Sequence, residues 1–286
     1  MNSKYIKFKQ QRELGDILSV LFKFLRENYK TFFASFFKFV TPAFILLIAA
    51  VTYYTYSTVG SPVFSTGAFN EGEVILAVII LAVSVLLYSA VLNGTVLHYV
   101  RSYMANNGEV VQAEVGRGLK KDIGKLVGLQ LIVWILTLAG LILFLIPGIY
   151  ISVPLGLSAA ILVFRRTNVT DSISEAFQLV KDNWWITFFT IFVVVLLIYV
   201  ISFIFQLPLL IYTIIKMFTV FQENSAGDIS GVFDWVYMLL SIIASIFQYI
   251  LYSILPLGLS FVYFNLNEKK NLTGTFESIE NLGKHE

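Results

Sequence analysis

The sequence contains no cysteine, only two histidines and little charge. Without cysteine, the 286-residue chain has no disulfide, no thiolate nucleophile and no Cys-ligated zinc or iron–sulfur site. The two histidines, His98 and His285, are too few to form a metal site alone. Charged residues make up 13% of the chain, whereas a typical soluble domain carries about 25%.

The motifs of several functional classes are missing as well. The sequence has no HExxH motif, no paired aspartates within an apolar run, and no glycine-rich loop of the ATP- or dinucleotide-binding type. Ser152, Ser158 and Ser253 have no His or Lys at a spacing that indicates nucleophilic catalysis. The net charge of +2, without a basic cluster interleaved with aromatics, does not indicate nucleic-acid binding. We therefore expect a non-catalytic protein without a cofactor.

What the sequence has instead is long apolar runs, with 57% of its residues hydrophobic. Runs of this length, separated by polar connections, predict an all-α integral membrane bundle. The predicted spans are six, at about residues 36–57, 74–97, 126–146, 148–164, 186–206 and 240–262. They form a single transmembrane helical domain, 1–267, followed by a polar cytoplasmic tail, 268–286.

Two of the predicted boundaries depend on proline. Ile146-Pro147-Gly148 predicts the turn between the third and fourth spans. Pro208 follows the fifth span, and residues 209–221 are then either an extension of the same helix or a short helix in the outer interface. Residues 58–73 and 222–231 are predicted loops.

Short amphipathic segments precede some of the apolar runs. Apolar residues at helical spacing predict a surface helix within 171–185, at Ile173, Ala176, Phe177 and Val180. Trp184 and Trp185 mark its entry into lipid, because such rings favour the water–lipid boundary. A second surface helix is predicted from Leu14, Ile17, Leu18, Leu21, Phe22 and Leu25. The alternative interpretation of this segment is a soluble amphipathic helix that packs on a partner protein.

A third, weaker surface helix is predicted within 102–125, from a narrow stripe of Val111, Val115, Leu119 and Ile123. Gly116, Gly118 and Gly124 interrupt that stripe. Two or three cytoplasmic-interface helices are therefore expected.

The charges predict the orientation. With six spans, Lys216 alone of the twenty Lys and Arg residues lies on one side. The acidic residues of that side are Glu71, Glu73, Glu223, Asp228 and Asp234. Because basic residues remain in the cytoplasm, both termini are predicted to be cytoplasmic and the membrane to be the cell (inner) membrane.

A repeat is visible at a shift of 155 residues. Arg26-Glu27-Asn28-Tyr29 corresponds to Lys181-Asp182-Asn183-Trp184, with matching positions upstream, and Lys121-Asp122 is a weaker middle copy. The chain then consists of three units, each a surface helix followed by a two-span hairpin. Copies of equal orientation are related by an axis along the membrane normal.

The sequence resembles a known family at Pro147-Gly148-Ile149-Tyr150, at Phe164, from Ser172 through Ala176-Phe177, and from Lys181 through Trp185. It is similar there to the bacterial YciC-like proteins and to the membrane domain of glycerophosphoryl diester phosphodiesterases. The motif covers about 147–189, and the six-span layout extends the likeness over most of the chain. The resemblance implies a multi-pass inner-membrane module, while the soluble phosphodiesterase domain has no counterpart here.

The candidate site residues are few. Asn93, Gln130, Gln206 and Gln248 fall within spans, where they either line a polar path or hydrogen-bond a neighbouring helix. His98 with Arg101 is either an interfacial anchor or an anionic-headgroup site. Basic residues near the inner interface are possible anionic-lipid contacts: Arg26, Lys121, Arg165, Arg166 and Lys181.

Two functions are consistent with this pattern. The first is a non-catalytic scaffold or regulatory module for other membrane proteins of the envelope. The second is a transporter or lipid-handling protein built on the repeats, which helices broken at proline favour. The partners expected are the lipid bilayer, anionic lipids and other membrane proteins, and no nucleic acid.

Overall fold

The computed structural model describes residues 5–58, 71–223 and 232–282. Nearly all of the two predicted loops, 58–73 and 222–231, lies outside these ranges, as does the end of the predicted tail. The described residues contain helices and no β-strand. The helices are α1 (Leu14–Phe39), α2 (Thr41–Thr58), α3 (Glu71–Ala105), α4 (Gln112–Leu143), α5 (Leu145–Arg165), α6 (Val169–Val180), α7 (Trp184–Glu223), α8 (Trp235–Leu251), α9 (Ile254–Asn271) and α10 (Thr273–Leu282).

Most of these helices are long and apolar. In the described part of the chain, five helical stretches could cross a membrane by length and composition, namely Gly72–Ala105, Gln112–Leu143, Leu145–Arg165, Val169–Val220 and Trp235–Asn271. The broken pair α1 and α2 raises the number to six if it crosses as one span. The predicted class, an all-α membrane bundle, is therefore confirmed.

Two predicted spans are interrupted. The span 36–57 contains a break at Val40, and the span 240–262 contains one at Tyr252 and Ser253. Pro42 and Pro256 follow within four residues and occupy the first turn of α2 and of α9. Proline is tolerated there because the N–H groups of a first turn have no partner within the helix.

The turn between the third and fourth spans comes earlier than Ile146-Pro147-Gly148. The helices α4 and α5 are separated by Phe144 alone, whose extended backbone (φ −159°, ψ 141°) forms the corner. Pro147 lies in the first turn of α5, so it starts a helix here rather than ending one. Gly148 then packs directly against Leu141 of α4.

The remaining elements are longer than predicted. The helix α7 continues through Pro208 to Glu223, so residues 209–221 extend the fifth span. Residues 102–125 form no separate surface helix, because their first part completes α3 and their last part starts α4. The predicted tail is also helical, in the end of α9 and in α10.

Two glycines of α4 are packing positions. A methyl group added at Gly116 would lie 2.9 Å from Cε1 of Phe39, and one at Gly118 would collide with the His98 ring. These residues therefore let α4 lie close to α1 and α3, and they do not break the helix as the sequence pattern indicated.

The contacts divide the chain into two compact units. Unit 1 comprises Met1–Val40, Ser89–Leu196 and Ser253–Glu286. Its core contains the inner face of α1, where Ile17, Leu21 and Phe24 are fully buried while Phe22 is exposed. In α6, Ala176 and Val180 are buried within unit 1, whereas Phe177 is exposed.

Unit 2 comprises Thr41–Tyr88 and Leu197–Tyr252, and within it α2 packs on α8. The Tyr88 hydroxyl donates to the Tyr249 carbonyl oxygen at 2.5 Å. Asp234 caps α8 and accepts from Lys216 at 2.9 Å and from the Tyr212 hydroxyl at 2.5 Å. Burial would raise the pKa of Asp234, but the hydrogen bonds from Lys216 and Tyr212 outweigh it and lower this pKa to about 2.

Candidate functional site

The segment 5–13 packs against unit 1 in an extended conformation. Its residues alternate, so that Ile6 and Phe8 are buried while Lys7 and Lys9 point outward. The Ile6 N–H donates to the Tyr103 hydroxyl at 3.0 Å. We call this segment, the C-terminal part of α9, and α10 the end cap.

Phe8 holds the end cap to the core. Its ring is fully buried and stacks on Phe261 of α9, with centroids 4.3 Å apart. Phe24, Tyr103 and Phe264 surround it edge-on, at 5.4, 6.0 and 5.8 Å. Burying a Phe ring stabilises by about 1.5–3 kcal/mol, so this contact is a major contribution to holding the segment in place.

Arg12 fixes the turn at the end of the segment. Its backbone N–H donates to Oδ1 of Asn265 at 2.8 Å. Its guanidinium donates to the carbonyl oxygens of Lys7, Phe8 and Gln10. Burial lowers the pKa of this guanidinium, and the Asp16 carboxylate nearby opposes the shift.

Glu268 joins α9 to α10. Its side chain accepts hydrogen bonds from the N–H groups of Gly274 and Thr275 at 2.7 and 2.9 Å. The hydroxyls of Thr273 and Thr275 donate to it as well, at 3.2 and 2.8 Å. A carboxylate in this position satisfies the unpaired N–H groups at a helix start and complements the helix dipole.

Arg165 joins α5 and α6 to α9. Its guanidinium donates to Oδ1 of Asn267 at 2.9 Å and to the Tyr263 hydroxyl at 3.3 Å, and it pairs with Glu175 at 2.9 Å. The polar groups of this region thus bond one another, an arrangement that rigidifies the surrounding structure.

The helix α10 carries an apolar stripe on its outer face. The stripe consists of Leu272, which immediately precedes the helix, and of Phe276 and Ile279 within it. The three residues are spaced at i, i+4 and i+7. Phe276 is 63% exposed and Ile279 is 60% exposed. We call these three residues the α10 stripe.

His98 is neither an interfacial anchor nor part of a headgroup site. It is buried in unit 1, and its Nε2 lies 3.2 Å from Oδ2 of Asp122 without the alignment of a hydrogen bond. Gly118 makes room for the ring. The predicted pairing of His98 with Arg101 is therefore replaced by an internal contact between α3 and α4.

A cavity of about 160 Å³ lies within unit 1. Its polar lining is Asn93, Gln130 and Ser158, and the Asn93 Nδ2 donates to the Gln130 Oε1 at 3.3 Å. Leu126, Leu129 and Leu155 contribute to the apolar lining. Asn93 and Gln130 therefore hydrogen-bond across helices, which is one of the two alternatives, and they also line a cavity large enough for water.

The predicted lipid contacts lie on separate elements. Arg26, Lys121 and Lys181 are exposed, on α1, on α4 and in the turn before α7. Within the described ranges, their side chains make no hydrogen bond or ion pair with another residue. Arg166, in a left-handed conformation (φ 57°), ends α5, and Arg165 is bonded as above. Their contact with anionic lipid stays a prediction.

Sequence analysis missed Phe8, Glu268 and α10. One signal was present, because Tyr5-Ile6-Lys7-Phe8-Lys9 alternates with period two, as in an extended segment with one buried side. Glu268 gave no signal, because its partners depend on the course of the chain after α9.

Comparison with known proteins adds no relative. No protein-family model matches the chain, and no curated protein or solved structure matches it. The resemblance to the YciC-like proteins stays a prediction from the motif.

Proposed function

We propose that this protein is a non-catalytic multi-pass membrane scaffold that binds a partner protein through the α10 stripe. The observation that carries the proposal is the exposure of Phe276 and Ile279 on a helix that is itself held in place. The polar groups around it bond one another, which is typical of a structural network and not of a nucleophile beside its base.

Two features of α10 favour a protein partner. A rigid element loses little conformational entropy on binding, and α10 is fixed by Glu268 at its start and by the pair of Glu277 with Lys9. An exposed aromatic ring is the kind of residue that dominates binding energy at protein interfaces.

The cellular location belongs to the same proposal. The separation of Lys and Arg from the opposite-side carboxylates supports the end cap being cytoplasmic and the membrane being the cell (inner) membrane. The partner that binds the α10 stripe would then be either a cytoplasmic protein or another inner-membrane protein.

Site-specific photo-crosslinking in cells tests the proposal. A photoreactive phenylalanine analogue replaces Ile279 in the full chain, and the same analogue at Phe22, an exposed ring on α1, is the matched control. We expect one discrete protein adduct from position 279, absent at position 22 and lost when Phe276→Ser is added. Adducts of lipid alone, or the same adducts from both positions, contradict a protein partner.

The second candidate is a carrier or lipid-handling protein. The cavity that contains Asn93, Gln130 and Ser158 favours it, because polar groups inside a bundle can line a path. Since a carrier needs no fixed protein partner, lipid-only adducts in the crosslinking experiment would favour this candidate.

A further inference from the structure

A groove of about 860 Å³ lies between the start of α1 and the start of α7, within unit 1. Its volume is in the range of small-molecule sites in proteins. The lining comes from residues 11–16, from the first turns of α7, and from Lys269 of α9. The groove shares no residue with the α10 stripe.

The groove is lined by equal numbers of positively and negatively charged side chains. Arg12 and Lys269 contribute two positive charges, and Glu13 and Asp16 contribute two negative charges. Lys269 and Glu13 are exposed, and their side chains have no hydrogen bond or ion pair in the parts of the chain that the structure describes. Both are therefore available to a ligand.

The opposite wall is apolar. Trp185 is 66% exposed, and Ile186 and Phe189 beside it are about half exposed. Phe192 and Leu196 continue this exposed face along α7, away from the groove. Polar groups of both signs thus stand at one end of an apolar track on a helix that is long enough to span a membrane.

We infer that the groove binds a phospholipid whose headgroup carries a phosphate and a primary ammonium, with an acyl chain along Trp185, Phe189 and Phe192. The phosphate would pair with Lys269, and the ammonium with Glu13 and Asp16. Arg12 would add positive charge near the phosphate while its guanidinium stays bonded to the backbone carbonyl oxygens of the segment. A primary ammonium has three N–H donors for these carboxylates, whereas a trimethylammonium has none. A headgroup with negative charge only would leave the two carboxylates without a partner and would be repelled by them.

Native mass spectrometry of the full-length protein tests this inference. The detergent-solubilised protein is mixed with equal amounts of phosphatidylethanolamine, phosphatidylcholine and phosphatidylglycerol with identical acyl chains. We expect the wild type to retain phosphatidylethanolamine in preference to the other two lipids. Lys269→Gln should weaken this retention about fivefold, the factor expected for one basic residue at an anionic headgroup.

The acidic variants give the distinguishing result. Glu13→Gln with Asp16→Asn should abolish the preference for phosphatidylethanolamine over phosphatidylcholine and should increase retention of phosphatidylglycerol. The matched controls, Lys120→Gln and Glu109→Gln, change exposed residues outside the groove lining and should leave all three retentions unchanged.

Two results would overturn the inference. One is equal retention of the three lipids by the wild type, and the other is a preference for phosphatidylglycerol that the groove variants do not alter. Neither result bears on the protein partner proposed for the α10 stripe. A thermal-unfolding midpoint equal to the wild type's would show that each variant is folded.

Discussion

The side chain of Glu268 is only 2% exposed, and four groups at the start of α10 donate to it. Burying a carboxylate is unfavourable unless hydrogen-bond donors satisfy it. The contribution of Glu268 to stability therefore depends on the number and geometry of its donors. Those donors all belong to residues 273–275, so Glu268 is the main polar attachment of α10 to α9, beside the bond from Asn267 to Thr273.

Replacing Glu268 by Gln should loosen α10. Glutamine presents one acceptor oxygen and one NH₂ donor, so the N–H of either Gly274 or Thr275 would face another donor. We expect a loss of about 1–3 kcal/mol of stability, the cost of a buried polar group without its partner. Hydrogen–deuterium exchange at Gly274 and Thr275 should accelerate, and thermal unfolding should report the change in stability.

Glu277→Gln is the control for that substitution. Glu277 pairs with Lys9 at the surface, where an ion pair contributes about 0–1 kcal/mol. Its removal should leave the exchange at Gly274 and Thr275 as in the wild type. If Glu268→Gln also left that exchange unchanged, Glu268 would not be the attachment of α10.

At the scale of the elements, the corner between α4 and α5 depends on glycine. Gly148 lies so close to α4 that an added Cβ would be 2.7 Å from the backbone nitrogen of Leu141 and 2.6 Å from its Cδ2. A backbone atom cannot move aside as a flexible side chain can. The close approach of the two helices therefore requires the absence of a side chain at this position.

Gly148→Ala should open this corner and destabilise the protein by about 1–3 kcal/mol, the usual cost of overpacking. Gly128→Ala in α4 is the matched control, because a Cβ there meets no atom within 4 Å. Alanine should stabilise that helix by up to about 1 kcal/mol. Thermal unfolding in one detergent compares the two, and equal midpoints for both variants would contradict the role assigned to Gly148.

The long apolar helices could be predicted from sequence, whereas α10, the helix ends and the packing could not. Lipid requires every backbone polar group to be bonded internally, so a long apolar run such as 186–206 predicts a helix without knowledge of its neighbours. Local sequence rules predict a turn at Pro147 and an interruption at Gly116. Their positions instead reflect a first helical turn and a contact with Phe39, which depend on the fold.

At the scale of the whole molecule, the predicted orientation can be tested with single cysteines, because the chain has none of its own. Ser65→Cys and Ser225→Cys lie in the predicted outer loops, which fall outside the described residues. Both should react with an impermeant maleimide in intact cells. Glu109→Cys and Thr170→Cys should react only after the membrane is permeabilised. Labelling of position 109 or 170 in intact cells would contradict the six-span orientation.

The end cap also has a consequence for the time course of biosynthesis. The backbone N–H of Arg12 bonds Asn265, a partner 253 positions later in the chain. At about 5–20 residues per second, the ribosome reaches that partner roughly 10–50 s after it has made Arg12. For most of this interval Phe8 has no Phe261 or Phe264 to cover it. The segment 5–13 is thus translated long before α9 and reaches its native position only after α9 has formed.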